Sequence, residues 1–307
     1  MMTARKRQSS KAVPMALGAT ALISTLSGCA TDSIGNQVDG TAPAAVSHIA
    51  DLGERVLVPA SADPMIGEAL YSDAAQGFST YDWAVSEYTP GGLQNVTWNR
   101  SHVALGETFL SLMITPPVER GKPFPSGEIQ SIDTMGYGTY SAVLRPAVGS
   151  GLLSSFYARA EAGDDTGAST FGFAFQGKDP RDVYIRLMVD DEVLVQDKVS
   201  LDFNAAADFH VYTMDWTPDA LVWFIDGEEV HRVERTLAPL PEQPGKMFAN
   251  LWAGTPDQAH WMGRPRFPSG VSLDIACIAH QPMGKSGKIC SAPLGAPQAM
   301  ADVGEVG

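Results

Sequence analysis

Carboxylates held in opposed pairs can serve as general acid and general base, and two acid clusters flank one strongly alternating stretch of this chain: Asp164 and Asp165, then Asp190, Asp191 and Glu192. Asp190-Asp191-Glu192 falls where a hairpin end is expected, and no pair among the five has an opposed placement. Solvated turn charge is the plainer reading of them. The six histidines show no metal-ligand spacing, and His210, His231 and His260 fall at surface or strand-end positions. Dinucleotide, phosphate-loop and zinc-site patterns are absent. Between the acid clusters lies Ser169 to Gln176. Its alternation puts Thr170, Gly172 and Ala174 on one face and Phe171, Phe173 and Phe175 on the other. Such a strand has a well-supplied core face and an opposite face with no titratable group.

Three cysteines complete the reactive inventory. Cys29 ends Leu26-Ser27-Gly28-Cys29, preceded by a basic stretch from Arg5 to Lys11 and a short apolar stretch from Ala12 to Ile23. That apolar stretch is too short to span a bilayer. The tetrapeptide resembles the bacterial lipobox, in which the cysteine is acylated and becomes the new N-terminus; an ordinary cleaved signal peptide is the alternative. Ala30 and Thr31 follow, with no Asp directly after Cys29. By Gram-negative sorting rules this favours an outer-membrane lipoprotein facing the periplasm, if the source is Gram-negative. Lipidation would keep a soluble domain on a membrane surface. With Cys29 so used, Cys277 and Cys290 remain, and an oxidising compartment would let them close a C-terminal loop. A mobile tail beyond residue 280 would leave them apart.

The formal charge is −14; residues 1–28 carry four basic residues and no acids, so the remainder holds 17 Lys and Arg against 35 Asp and Glu, a net of −18. A body that acidic is repelled by nucleic acid and by anionic lipid. Neutral polysaccharide is a compatible partner, and a strongly anionic one is less so.

Short apolar alternations with turn signals supply the elements. They include Thr139–Leu144, Thr170–Gln176, Val183–Val189, Phe209–Trp216 and Ala220–Ile225, with Asp226-Gly227 as a hairpin turn between two runs. No stretch has a long helical period, and no solenoid-length repeat is evident. This pattern predicts an all-β jelly roll or β-sandwich over residues 61–282. A signal peptide (1–28) and a flexible tether (29–60) precede it, and a loose tail (283–307) follows. Trp216 and Trp223 fall on a hairpin expected to pack the opposite sheet as core.

Several segments, in order, resemble glycoside hydrolase family 16, in particular its bacterial lichenase and laminarinase-like β-glucanases. They are Gly91 to Trp98, Gly127 to Ser131, Gly136 to Tyr140, Arg145-Pro146-Ala147, Gly151 to Tyr157, Trp216 to Asp219, Phe224 to Gly227 and Asn250 to Gly254, with Trp261. Each is weak alone; their order and spacing are specific. The resemblance implies a jelly roll whose concave sheet holds a glucan chain. Members carry Glu-x-Asp-x-Glu on the central cleft strand, because period-2 alternation brings all three acids to one face. A retaining glycosidase needs its nucleophile and acid/base about 5–5.5 Å apart. The turn Gly177-Lys178-Asp179 resembles the family's downstream turn and fixes the alignment. The nucleophile position then falls on Thr170, the middle Asp on Gly172 and the acid/base on Ala174.

The resemblance also implies sugar contacts at Asn95, Glu128, Tyr157, Asn250, Trp252 and Trp261. Gln130 stands where the family often has Arg, Arg159 where lichenases carry Tyr, and Ala168 where a Trp usually precedes the strand. Packing roles for Trp252 and Tyr157, and backbone-satisfying roles for Asn95 and Asn250, are alternatives. A structural calcium is common in the family, but nothing in the sequence places it, and no other cofactor is implied. The leading expectation is a membrane-tethered binder of a β-glucan or exopolysaccharide, with polysaccharide-export proteins of the envelope as possible partners. A hydrolase or transglycosylase with relocated carboxylates and an envelope scaffold are the rivals.

Overall fold

The computed structural model describes residues 56–57, 69–70, 83–106, 108–163, 167–268, 270–285 and 289–290. Cys29 and the acids Asp164 and Asp165 lie outside the described residues, as does most of the expected tether. Among the described residues no helix is long and apolar enough to cross a membrane.

The strands in chain order are β1 (Val56–Leu57), β2 (Ala69–Leu70), β3 (Trp83–Val85), β4 (Val96–Trp98), β5 (Val103–Leu105) and β6 (Leu110–Ile114). Then come β7 (Phe124–Ser126), β8 (Glu128–Ser131), β9 (Gly138–Arg145), β10 (Leu152–Ala160), β11 (Ser169–Gln176) and β12 (Asp182–Val189). The last six are β13 (Glu192–Ser200), β14 (His210–Trp216), β15 (Ala220–Ile225), β16 (Glu228–Glu234), β17 (Lys246–Ala253) and β18 (Val271–Pro282). They form two sandwiched sheets, the arrangement expected of a jelly roll. One has ten strands along the path β1-β5-β6-β18-β9-β14-β15-β16, with β4 and β7 at its side; the other runs β13-β12-β11-β10-β17-β8-β3-β2. β1 falls inside the stretch 29–60 and pairs with β5.

The core lies between the sheets and is built from their facing side chains. Phe171 meets Tyr140 edge-on at 5.4 Å and Trp216 at 5.3 Å, while Phe173 and Phe175 meet Tyr212 at 5.4 and 4.8 Å. Trp216 and Trp223 are buried on the ten-stranded sheet, and Trp216 meets β11 through Phe171. Two hairpins carry the positive φ that their turns require. Asp226 and Gly227 join β15 to β16 with φ of 50° and 88°, and Asp190 and Asp191 join β12 to β13 with φ of 50° and 65°. The acids of the second hairpin are therefore turn residues.

Cys277 and Cys290 are joined by a disulfide. The stretch 283–307, expected as a loose tail, contains Cys290, which is buried, donates its N–H to Ser141 Oγ at 3.0 Å and packs on Val143 and Ala279. The chain is therefore held back onto β9 eight residues past the end of β18.

Candidate functional site

A cleft of about 540 Å³ lies on the outer face of the eight-stranded sheet. Antiparallel register arranges its floor in rungs. One rung runs Glu128, Asn250, Ser155, Ala174 and Tyr184 across β8, β17, β10, β11 and β12. The next runs Gln130, Phe248, Tyr157, Gly172 and Arg186. A third carries Lys246, Arg159, Thr170 and Met188. Thr170, Gly172 and Ala174 thus face the cleft on successive rungs, and the strand's phenylalanines turn inward.

The Glu128 end is a packed polar network. Glu128 is 2 % exposed. Its Oε1 accepts from Ser86 Oγ at 2.7 Å and Tyr88 Oη at 3.4 Å, and its Oε2 from Asn250 Nδ2 at 2.8 Å. Loss of hydration pushes its pKa up to about 7, and these three hydrogen bonds pull the other way without cancelling it. Asn250 Nδ2 also reaches Tyr157 Oη at 3.3 Å. Burial, with the Glu128 charge nearby, raises the Tyr157 phenol far above its ordinary range. Asn250 is 1 % exposed, and its Oδ1 has no hydrogen-bond partner among the described residues. A buried acceptor left unpaired carries a desolvation cost that a ligand hydroxyl would relieve.

The middle of the floor is unusually close-packed. The Tyr157 ring stacks on Phe248 with centroids 5.0 Å apart and planes 6° from parallel. A Cβ placed on Gly172 would collide with Tyr157 Cβ and lie 2.5 Å from the Phe156 carbonyl oxygen. Any larger residue at 172 therefore requires β10 and β11 to move apart. At the far wall, Trp261 meets Tyr184 edge-on at 5.5 Å and Trp252 lines the floor.

Residues 92–267 match the family model described as glycosyl hydrolases family 16, more than half of the chain. The chain belongs to glycosyl hydrolase family 16. It is 31% identical over 210 residues to a beta-glucanase of Bacillus subtilis, covering 67% of this chain and 83% of that protein. It is 32% identical over 208 residues to a beta-glucanase of Bacillus licheniformis, covering 66% of this chain and 82% of that protein. Among solved structures, Bacillus licheniformis beta-glucanase superposes with a TM-score of 0.62 at 28% identity, covering 70% of this chain and 98% of the other.

Of the sugar-contact positions implied by this family, the cleft gathers Glu128, Tyr157, Asn250, Trp252 and Trp261. Asn95 is not among its lining residues, whereas the preceding Leu93 and Gln94 are. The Asn95 backbone ties the cleft edge instead, its N–H donating to Ala253 and its carbonyl accepting from Phe124. Trp252 is 8 % exposed and also packs with the core, so it belongs to both settings.

Sequence reasoning missed Tyr88, Glu161, Tyr184 and Arg186, all of which line the cleft. Tyr184, Arg186 and Met188 alternate with the buried Val183, Ile185 and Leu187 on the predicted run Val183–Val189. That alternation was the available signal. Among the described residues no group of three or more His, Cys, Asp or Glu side chains gathers to hold a metal.

Proposed function

We propose that this family 16 protein binds a β-glucan-like or exopolysaccharide chain in the cleft and does not cleave it by the family's double-displacement route. The observation that carries the reading is the cleft face of β11. Thr170, Gly172 and Ala174 stand on three successive rungs, and none can form a glycosyl ester or donate a carboxyl proton. Gly172 adds to it, since Tyr157 already occupies the space of a side chain there. The rest of the cleft retains what a polysaccharide needs. Aromatic faces at Tyr157, Trp252 and Trp261 suit sugar C–H surfaces, and Asn250 and Glu128 suit hydroxyls. Similar proteins named beta-glucanases support the ligand class. We place the domain on the outer membrane, facing the periplasm, through acylated Cys29, with polysaccharide-export proteins as candidate neighbours. Labelling with a radioactive fatty acid should mark the chain and fail in Cys29→Ala.

The test of the binding reading is affinity of the full chain for barley β-glucan and for laminarin. Trp261→Ala should weaken retention roughly tenfold, equivalent to about 1.4 kcal/mol. Unchanged retention in that variant would remove the cleft from the account.

A second reading is hydrolysis with relocated carboxylates. It is favoured by Glu128, whose pKa of about 7 suits a general acid, with Glu161 as the other lining carboxylate. Turnover that disappears in Glu128→Gln would establish it.

A further inference from the structure

The face of β11 that lacks acids is flanked by cations. Arg159 stands opposite Thr170 on β10, Arg186 stands opposite Gly172 on β12, and both line the cleft. The Arg159 fork already holds a carboxylate: Nε and Nη2 donate to the two oxygens of Glu161 at 2.9 and 3.3 Å. Its Nη1 reaches Thr170 Oγ1 at 3.5 Å. The Glu161 side chain is 73 % exposed, so it occupies the fork as a loosely held surface group. Arg186 is exposed, and its side chain makes no ion pair or hydrogen bond among the described residues. Partial loss of hydration on the cleft wall, and then the charge of Arg159, lower its pKa, though a guanidinium stays charged.

The other charged groups of this face act in both directions, and Arg186 and Lys246 are the cations there with no acidic partner among the described residues. Lys246, opposite Arg159 on β17, donates to Gln130 Oε1 at 3.4 Å and has no acidic partner among the described residues. Asp191 acts on Arg159 from the hairpin tip. Asp182 and Lys198 pair with each other at 2.9 Å. Glu128 lies two rungs from the Arg159 rung, and burial favours its neutral form.

We propose that the cleft takes a glycan bearing occasional carboxylates, as uronate or as an acidic substituent, with the carboxylate held beside Tyr157 by Arg186 and the Arg159 fork. The inference rests on the reading of the cleft as a polysaccharide site and names its substrate class. Planar guanidinium forks match carboxylate geometry, and such charge-assisted contacts are the stronger hydrogen bonds. Gly172 adds no side chain of its own between the two arginine positions, and the space beside it is lined by Tyr157. The acidic body sets the density of charge on the ligand. At physiological salt the Debye length is about 8 Å, so a single carboxylate in the cleft feels chiefly the arginines, whereas a dense polyanion meets the whole surface.

The experiment compares two ligands with one backbone. Barley β-glucan, and the same polymer with a small fraction of its C6 hydroxymethyl groups oxidised to carboxylate, are titrated against the full chain at low salt. The oxidised polymer should bind roughly tenfold tighter, the scale of a charge-assisted contact. That ratio should fall close to one in Arg186→Gln and keep an intermediate value in Arg186→Lys, with thermal melts confirming that both variants are folded. Equal affinity for the two polymers would overturn the inference while leaving the binding reading intact. A preference that survives in Arg186→Gln would also overturn it, by placing the preference elsewhere. Binding of neither polymer would remove both readings.

Discussion

The two faces of β11 have diverged in what they can do. On the inner face Phe171, Phe173 and Phe175 are buried and meet Tyr140, Trp216 and Tyr212 of the opposite sheet. On the outer face Thr170, Gly172 and Ala174 offer the cleft a hydroxyl, a bare backbone and a methyl group. Strand alternation lets the residue types of one face vary while the other keeps its packing, because adjacent side chains never share an environment. The strand is therefore evidence for fold on one side and against the family's reaction on the other, and family membership alone does not decide function.

Four substitutions or titrations probe the contrast, beginning with the largest expected effect. Phe171→Ala should cost about 3–5 kcal/mol and lower the melting temperature by roughly 10 °C, read by circular dichroism. A loss below about 1 kcal/mol would mean that the inner face is not the supporting one. Glu128 comes second, because it lines the cleft yet is buried as deeply as a core residue. Burial raises its pKa from 4.5 to about 7, so the folded state binds this proton more tightly than the unfolded chain does. Its contribution to stability is complete below about pH 4.5 and is lost as the pH rises through about 7, a change of roughly 3 kcal/mol. Chemical denaturation across that range should show the fall, and Glu128→Gln should flatten it.

Gly172→Asp comes third. It sits on the cleft face, but its side chain would meet the Tyr157 and Phe156 backbone region, so it should cost about 1–3 kcal/mol. Introducing all three family acids at 170, 172 and 174 should accordingly give no measurable release of reducing ends. Full recovery of hydrolysis would show that the floor can open and that Gly172 is not a steric barrier. The smallest effect is expected at Thr170→Ala, within about 0.5 kcal/mol, since only the weak contact from Arg159 is lost.

Much of this was legible in the chain itself. The Phe-x-Phe-x-Phe alternation gives the inner face of β11 without any structure, and Asp226-Gly227 gives its hairpin because both residues tolerate positive φ. Asn95 shows where such reading slips: a one-residue error in an irregular approach to β4 exchanges it for Gln94 at the cleft. Gly172 shows a different limit. Its sequence neighbours say nothing of Tyr157, and the tight approach exists only once β10 and β11 are in register. Arg186 was hidden for the same reason, because its meaning depends on standing opposite Gly172 and beside Arg159. Cys290 required the fold of the last segment over β9.

The central claim, binding without the family's cleavage, is tested most directly by incubating the full chain with barley β-glucan under conditions where retention is demonstrated, then measuring the polymer's chain length by size-exclusion chromatography. The account predicts a bound polymer of unchanged length after prolonged incubation. Progressive shortening that is abolished by Glu128→Gln would contradict it and make Glu128 the carboxylate of a working glycosidase.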